Sequence, residues 1–543
     1  MFKISNGTIA NLVPPGAGPF GRSVQQHRSG GSIPVAVPVW SVDPRTGNQR
    51  ERVAAEATAG EVDGAVRAAH AVRGALADRQ VRIALLRAAA DELTADGARI
   101  IATADAETAL GEARLTGELG RTTGQLRAFA AEIEDGGYLD VIIDRADDSL
   151  TPPRPDLRRY KIPVGVVAVY AASNFPLAFS VPGGDTASAL AAGNPVVVKA
   201  HPDHPATSEL AGAALRRAAA KVGLPEDVVT VLHGFDAGVE LIKHPLVAAA
   251  GFTGSVRGGR ALFDAAAARP QPIPFHGELG SLNPVVVTEA AAGEKAAEIG
   301  AGLAGSMTQG VGQFCTKPGL VLVPAGEAGE QLVATLAKQL ADVAPGVLLD
   351  GRMRDAFLAG VDARTRLDGV AAPVAAGEGE GRTVAAGFLT VDGERLLTGG
   401  EHDLLLEECF GPVTVIVRYA DTAQLTALLA RFPGNLTATL HLGAAEAEDP
   451  NGRGAALLAE LTPLAGRVLV GGWPTGVAVT PAQHHGGPYP ASTSSSTSVG
   501  ATAIERWLRP VSYQNAPEAL LPPELRDDNP LGVPRRVNGT RQV

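Results

Sequence analysis

The chain has 543 residues, 45% of them hydrophobic and 19% charged, which excludes a wholly disordered protein and suffices for roughly two to four domains. Its 47 Lys and Arg against 58 Asp and Glu give a net charge of −11, and with only 4% aromatics it lacks the footprint of a nucleic-acid binder. Two cysteines, Cys315 and Cys409, cannot staple so long a chain, so a reducing, cytoplasmic setting is expected.

Residues 1–35 carry Gly, Pro and Ser without periodicity and read as a loose leader, with no apolar core of a secretory signal. Pro38-Val39-Trp40-Ser41-Val42 reads as a strand, followed by the turn Asp43-Pro44-Arg45-Thr46-Gly47. Thr58 and Glu61 form a capping box ahead of a helix with Val62, Val66, Ala69 and Val72 on one face. Helical spacing continues intermittently to Ile133. Residues 162–184 carry no charge, but Pro163, Pro176 and Pro182 interrupt them, so two buried strands joined by a polar loop are expected rather than a membrane span. Apolar runs at 164–170, 196–198, 228–232 and 248–252 alternate with Ala-rich helical stretches such as 207–221, the pattern of a parallel sheet covered on both faces. At Pro284-Val285-Val286-Val287 the pattern restarts, which predicts a second α/β domain. The Ser/Thr run 492–498 reads as a polar loop, and the Pro-rich tail from Ala516 is expected to wrap the surface.

Several motifs bear on chemistry. Gly300, Gly302 and Gly305 spell GxGxxG but lie inside a helical run, so they read as small packing residues and not a phosphate loop. The stretch from Gly251 through Gly254 and Ser255 to Gly259 follows a strand and precedes a helix. Such a turn offers N–H groups and a hydroxyl to an anion, or is simply a strand-to-helix connection. Cys315 sits in a Gly-flanked loop close to Lys317. Most free cysteines are packing residues, yet this setting suits a nucleophile. Cys409, beside Glu407 and Glu408, reads as structural. Glu278, between Gly277 and Leu279 at the end of an apolar stretch, should have a raised pKa and suits a general base; a solvated loop glutamate is the plainer reading. Asn174 either caps a turn or donates a hydrogen bond to substrate. Lys199 ends a strand, where open α/β sheets face their ligand crevice, and suits a ribose or phosphate unless it is a surface lysine. His201 and His204 lie in a Pro-rich loop with no third ligand evident, so no metal site is expected.

In order, Asn174-Phe175-Pro176, Lys199, Phe252-Thr253-Gly254-Ser255, Glu278-Leu279-Gly280, Cys315 and Glu408-Cys409-Phe410-Gly411-Pro412 form one constellation. It resembles the NAD(P)-dependent aldehyde dehydrogenase superfamily over residues 38–515. Residues 174–180 and His485-Gly486-Gly487-Pro488-Tyr489-Pro490 are most similar to its α-ketoglutaric semialdehyde (2,5-dioxopentanoate) dehydrogenase branch.

The resemblance implies an α/β fold. A Rossmann-like cofactor domain would comprise 36–148 and 163–284, a catalytic domain 285–485, and a small β oligomerisation arm 149–162 and 486–515, with 516–543 as a surface tail. It implies Cys315 as nucleophile, Glu278 as the base for thioester hydrolysis, and the Asn174 amide with the Cys315 N–H as oxyanion donors. Lys199, Gly254, Ser255, Gly259, Glu408 and Phe410 would hold the cofactor. The family's usual Glu-Leu-Gly-Gly-Lys is here Glu278-Leu279-Gly280-Ser281-Leu282, and Cys409 replaces the usual Ile. Pro202 stands where NAD-preferring members carry a ribose-binding Glu, so NADP is favoured, with NAD possible, and Lys199 and His201 as phosphate partners; Asp236 would oppose one. A homodimer or homotetramer is implied, with strands near 155–162 and 502–513 at the interface. The resemblance implies oxidation of 2,5-dioxopentanoate to 2-oxoglutarate, with aliphatic or aromatic aldehydes as the alternative substrates; a CoA-acylating enzyme and a non-catalytic scaffold are the further rivals, and Glu278 argues against the first, its presence with Cys315 against the second. Arg127, Arg467, Arg506 and Arg509 are the candidate partners of a substrate carboxylate.

Overall fold

Valine-rich runs build the first sheet of the computed structural model, which describes residues 37–542; the expected leader 1–35 lies outside the described residues. Its five parallel strands run in the order Val229–Leu232, Val196–Lys199, Val166–Tyr170, Val247–Thr253 and Phe275–Glu278. Val196, Val197 and Val198 are all fully buried, because helices cover both faces of the sheet. The fifth strand was not expected. It makes Glu278 a strand-end residue, in register with Thr253, just as Lys199 ends its strand opposite Tyr170 and Leu232. Both side chains therefore belong to the carboxyl edge of one sheet, where α/β sheets bind ligands.

The second α/β unit is present as a seven-stranded sheet. Its order is Ala371–Val374, Gly387–Asp392, Val413–Tyr419, Leu320–Pro324, Val285–Val287, Asn435–His441 and Ala465–Val470, parallel except for the first strand. Helix Glu289–Thr308 covers it and contains Gly300, Gly302 and Gly305. A Cβ on Gly300 would press on the Leu332 carbonyl and one on Gly302 on the Trp473 indole, so those two glycines serve helix packing. The Thr58–Glu61 capping box opens helix Ala59–Val72 as expected, with Val62, Val66 and Ala69 buried beneath it.

A third sheet of five strands runs Leu508–Gln514, Leu157–Pro163, Val141–Asp144, Arg535–Val537 and Thr540–Gln542. It differs from the expected division in three ways. Val141–Asp144 pairs here and not with the cofactor unit. The tail contributes two strands and buries Leu521, Leu525 and Val533, so it is more than a surface wrap. Residues 486–507, assigned to the arm, instead return to the first unit: Ala503, Ile504 and Trp507 join its core, and the Trp507 indole N–H donates to Ser188 Oγ at 2.7 Å.

Of the uncharged stretch 162–184, only Val166–Tyr170 is a buried strand of the parallel sheet. Ile162 and Pro163 end the strand Leu157–Pro163 of the third sheet, and residues 171–183 are a largely buried loop leading to helix Gly184–Ala192, because Pro176 and Pro182 deny it a second strand of the parallel sheet. Among the described residues no helix is long and apolar enough to cross a membrane.

Candidate active site

Cys315 lies in the loop between helix Glu289–Thr308 and strand Leu320–Pro324. The loop is pinned from below by Asn283, whose Nδ2 donates to the carbonyls of Cys315 at 2.8 Å and Lys317 at 2.9 Å. Gly312 has φ +68°, and a Cβ there would strike the Gly411 backbone, so the turn before Cys315 needs glycine twice over. Asn174 reaches the same loop, donating from Nδ2 to the Gln313 carbonyl at 3.0 Å. An amide nitrogen has two hydrogens, so one is left for a ligand oxygen.

Lys317 does not serve the thiol as its nearness in sequence suggested. Its Nζ donates to the carbonyls of Cys409 at 3.2 Å and Val413 at 2.6 Å, beneath the loop. Burial, then the neighbouring Glu278 carboxylate, push the Cys315 thiol well above its ordinary range. Cys409 packs against the second core, as a structural cysteine should.

Glu278 also departs from expectation. Burial pushes its carboxyl up, but the charge and hydrogen bond of His485 and the Ser498 hydroxyl outweigh it, and the pKa ends below the usual carboxylate value. Oε1 is 3.0 Å from His485 Nε2, and Oε2 accepts from Ser498 Oγ at 2.7 Å. His485 Nε2 is in turn 3.5 Å from Cys315 Sγ. One sulfur, one ring nitrogen and one carboxylate oxygen thus lie within 4.8 Å of one another. His201 and His204 form no such set: His204 Nε2 is 2.9 Å from the Ala172 carbonyl.

Beside Cys315, Phe175, Phe179 and Phe314 pack into a small aromatic wall. Two arginines of helix Glu112–Asp135 lie on it. Arg114 stacks 4.7 Å from the Phe314 centroid and donates from Nη2 to the Asn174 carbonyl at 2.6 Å. Arg121 stacks 5.0 Å from Phe179, and its buried Nε and Nη2 have no hydrogen-bond partner among the described residues. Burial lowers the pKa of this guanidinium, while the charges of Cys315, Glu118 and Glu278 act to raise it. Three of the four arginines named from sequence have partners of their own. Arg127 pairs with Asp91, Arg506 with Asp185, and Arg467 donates to the carbonyls of Gly476 and Pro474; Arg509 is an exposed residue of strand Leu508–Gln514.

The candidate cofactor residues lie at the strand ends and the turns beside them. Lys199 is pushed down to about 8 by burial, opposed by Asp203, and its Nζ lies 5.8 Å from the Phe235 ring centroid. His201 is a poorer phosphate partner than expected. Burial, then His204 and Lys199, hold its pKa well below the ordinary value, and its Nδ1 accepts the Asp203 N–H at 3.3 Å. Ser255 caps helix Val256–Ala267, accepting the Gly258 N–H at 3.2 Å, and leaves its own hydroxyl proton exposed beside Gly254. A Cβ on Gly259 would overlap Leu279, and one on Gly280 would stand 2.8 Å from Glu408 Oε2, so these glycines let the helix and Glu408 close on the Glu278 segment. Glu408 and Phe410 are half-buried in one loop; burial, opposed by Lys317, pushes Glu408 up to about 7. A lysine at a strand end, a capped helix start and a carboxylate poised over glycine fit a dinucleotide.

Sequence reasoning missed His485, Ser498 and Arg121 as site residues. His485 stood inside a quoted motif without a role, Ser498 inside a run read as polar loop, and Arg121 carries no local signal at all.

The aldehyde dehydrogenase family model matches residues 38–441. The alpha-ketoglutaric semialdehyde dehydrogenase 2 of Azospirillum brasilense is 48% identical over 464 residues, covering 84% of this chain and 87% of that protein. The alpha-ketoglutaric semialdehyde dehydrogenase of Acinetobacter baylyi is 42% identical over 490 residues, covering 89% and 92%. Among solved structures, methylmalonate-semialdehyde dehydrogenase from Oceanimonas doudoroffii aligns with a TM-score of 0.74 at 19% identity, over 88% of this chain and 95% of that one. The 1-pyrroline-5-carboxylate dehydrogenase from Thermus with bound NAD aligns at 0.72 and 21%, over 88% and 89%. These two likenesses show the fold.

Proposed function

Because the chain belongs to the aldehyde dehydrogenase family, an NAD(P)-dependent family, we propose that it oxidises 2,5-dioxopentanoate to 2-oxoglutarate with a preference for NADP. The observation that carries this reading is Arg121. A guanidinium with buried, unpartnered donors beside the nucleophile suits a substrate that brings its own carboxylate, since a buried cation is costly until it is paired. The names of the relatives at 48% and 42% identity support the same substrate. Pro202 supports NADP, because a carboxylate at that position would repel a 2′-phosphate and proline does not.

In this reading the Cys315 thiolate adds to the aldehyde carbon and forms a thiohemiacetal. The remaining Asn174 amide hydrogen and the Cys315 N–H stabilise the oxyanion. When bound against Lys199, Ser255, Glu408 and Phe410, the cofactor supplies the hydride acceptor. Glu278, ionised at neutral pH, takes a proton from the water that hydrolyses the Cys315 thioester. Strand Leu508–Gln514, paired on one side to Leu157–Pro163 and at the edge of its sheet, supports the further reading that the arm joins copies into a homodimer or homotetramer.

The test is reduced-cofactor formation with 2,5-dioxopentanoate, succinate semialdehyde, hexanal and benzaldehyde, each with NADP and NAD. The dioxo acid should be the best substrate, and Cys315→Ala should abolish turnover. Arg121→Ala should raise KM for the two acids at least tenfold and leave hexanal unchanged. Equal or better rates with the neutral aldehydes would sink the substrate assignment.

A further inference from the structure

Cys315 Sγ has the His485 ring within hydrogen-bond reach, beside the Glu278 carboxylate that also acts on the thiol. Nε2 of His485 lies 3.5 Å from the sulfur and 3.0 Å from Glu278 Oε1, so one ring nitrogen touches both groups. The Ser/Thr loop holds this arrangement from behind. The His485 backbone N–H donates to Thr497 Oγ1 at 2.8 Å, the Ser498 N–H donates to the His485 carbonyl at 2.8 Å, and Ser498 Oγ occupies Glu278 Oε2. Glu278 is left with Oε1 for the ring. Phe179 closes the far side, its ring centroid 6.1 Å from that of His485. The pair at its centre is buried, with the His485 side chain 1% and that of Glu278 3% exposed, while Cys315 and Phe179 are half-buried.

We propose that His485 is an acid–base residue of this site, taking the Cys315 proton and passing one to Glu278; this rests on the reading of Cys315 as nucleophile. The Nε2–H bond of His485 breaks as an O–H bond forms at Glu278 Oε1, and the Cys315 S–H bond breaks as a new N–H bond forms at Nε2, so His485 ends as it began. The sulfur electron pair makes the C–S bond to the aldehyde carbon, and the carbonyl π pair moves to its oxygen. Glu278 then releases the proton to water and is again the base for thioester hydrolysis. Such a relay answers a specific difficulty. Burial and the Glu278 charge oppose ionisation of Cys315, so the proton needs an acceptor already in contact. The charged and titratable groups around the relay are Glu278 from the first sheet, His484 beside it in the chain, Arg121 from helix Glu112–Asp135, and Arg467 and Glu408, which act on the thiol.

Alkylation of Cys315 by iodoacetamide, localised against Cys409 by peptide mass spectrometry, reads thiol activation without any turnover. Wild type should react from neutral pH upward. His485→Gln should react about 100-fold more slowly at neutral pH and converge with wild type at alkaline pH, where the thiol ionises unaided. An unchanged rate, or a slowing of equal size at every pH, would mark His485 as a packing residue and overturn the relay. His485→Asn is the second variant, and thermal unfolding checks that each is folded. Failure of the nucleophile reading shows separately, as turnover surviving in Cys315→Ala.

Discussion

His485 Nε2 and Glu278 Oε1 stand 3.0 Å apart in a site where both side chains are almost wholly buried. The two residues are brought together from distant parts of the chain, one ending a strand of the first sheet and the other on the segment that returns from the second unit. Their contact sets the protonation of the base. Burial alone would push the Glu278 carboxyl above its ordinary value, and the contact, with the Ser498 hydroxyl, reverses that.

Glu278→Gln should separate the two halves of the reaction. A burst of reduced cofactor should survive but form more slowly, because the variant lacks the end acceptor of the Cys315 proton while hydrolysis of the thioester loses its base outright. Steady turnover should fall about 10²–10⁴-fold. Stopped-flow absorbance under single-turnover and steady-state conditions checks both, and steady turnover that falls no further than the burst rate would contradict the assigned role.

The pH profile follows from the sign of the Glu278 shift. A lowered pKa keeps the carboxylate ionised to more acidic pH, so the acid limb of deacylation should lie below the ordinary carboxylate value. Ser498→Ala removes one of the interactions that lower it and should move that limb to higher pH. The pH dependence of kcat in wild type and variant measures the displacement.

Lys199 predicts a second pH effect. Its amine is charged below about 8 and loses its charge above, so affinity for NADP should weaken as pH rises through that value. NAD, without a 2′-phosphate, should show a smaller change. Fluorescence titration of both nucleotides across this range tests it, and Lys199→Met should flatten the NADP curve.

Gly259→Ala tests packing beside the site. The added Cβ would overlap Leu279, adjacent to Glu278, and overpacking of this kind costs about 1–3 kcal/mol. Thermal unfolding should show the loss, and cofactor affinity should fall with it as helix Val256–Ala267 shifts off the sheet.

Much of the molecule is legible from local pattern. Valine-rich runs divided by Ala-rich helices specify parallel sheets, because a strand buried on both faces must be apolar throughout. The Thr58–Glu61 box, the helical setting of Gly300, and the strand-end place of Lys199 follow from short-range rules of the same kind. Cys315 and Glu278 were visible because their neighbours in sequence are unusual.

What tertiary structure decided concerns groups whose environment comes from elsewhere in the chain. Lys317 is next but one to Cys315 yet hydrogen-bonds away from it, while His485, far off in sequence, touches the sulfur. The direction of the Glu278 shift could not be read from flanking glycine and leucine, since it is set by His485 and Ser498 across the fold. Arg121 looks like any helix arginine until Phe175 and Phe179 pack against it and deny it partners. Backbone propensity acts over a few residues and is written locally; desolvation and charge act through space, and only folding determines which side chains share that space.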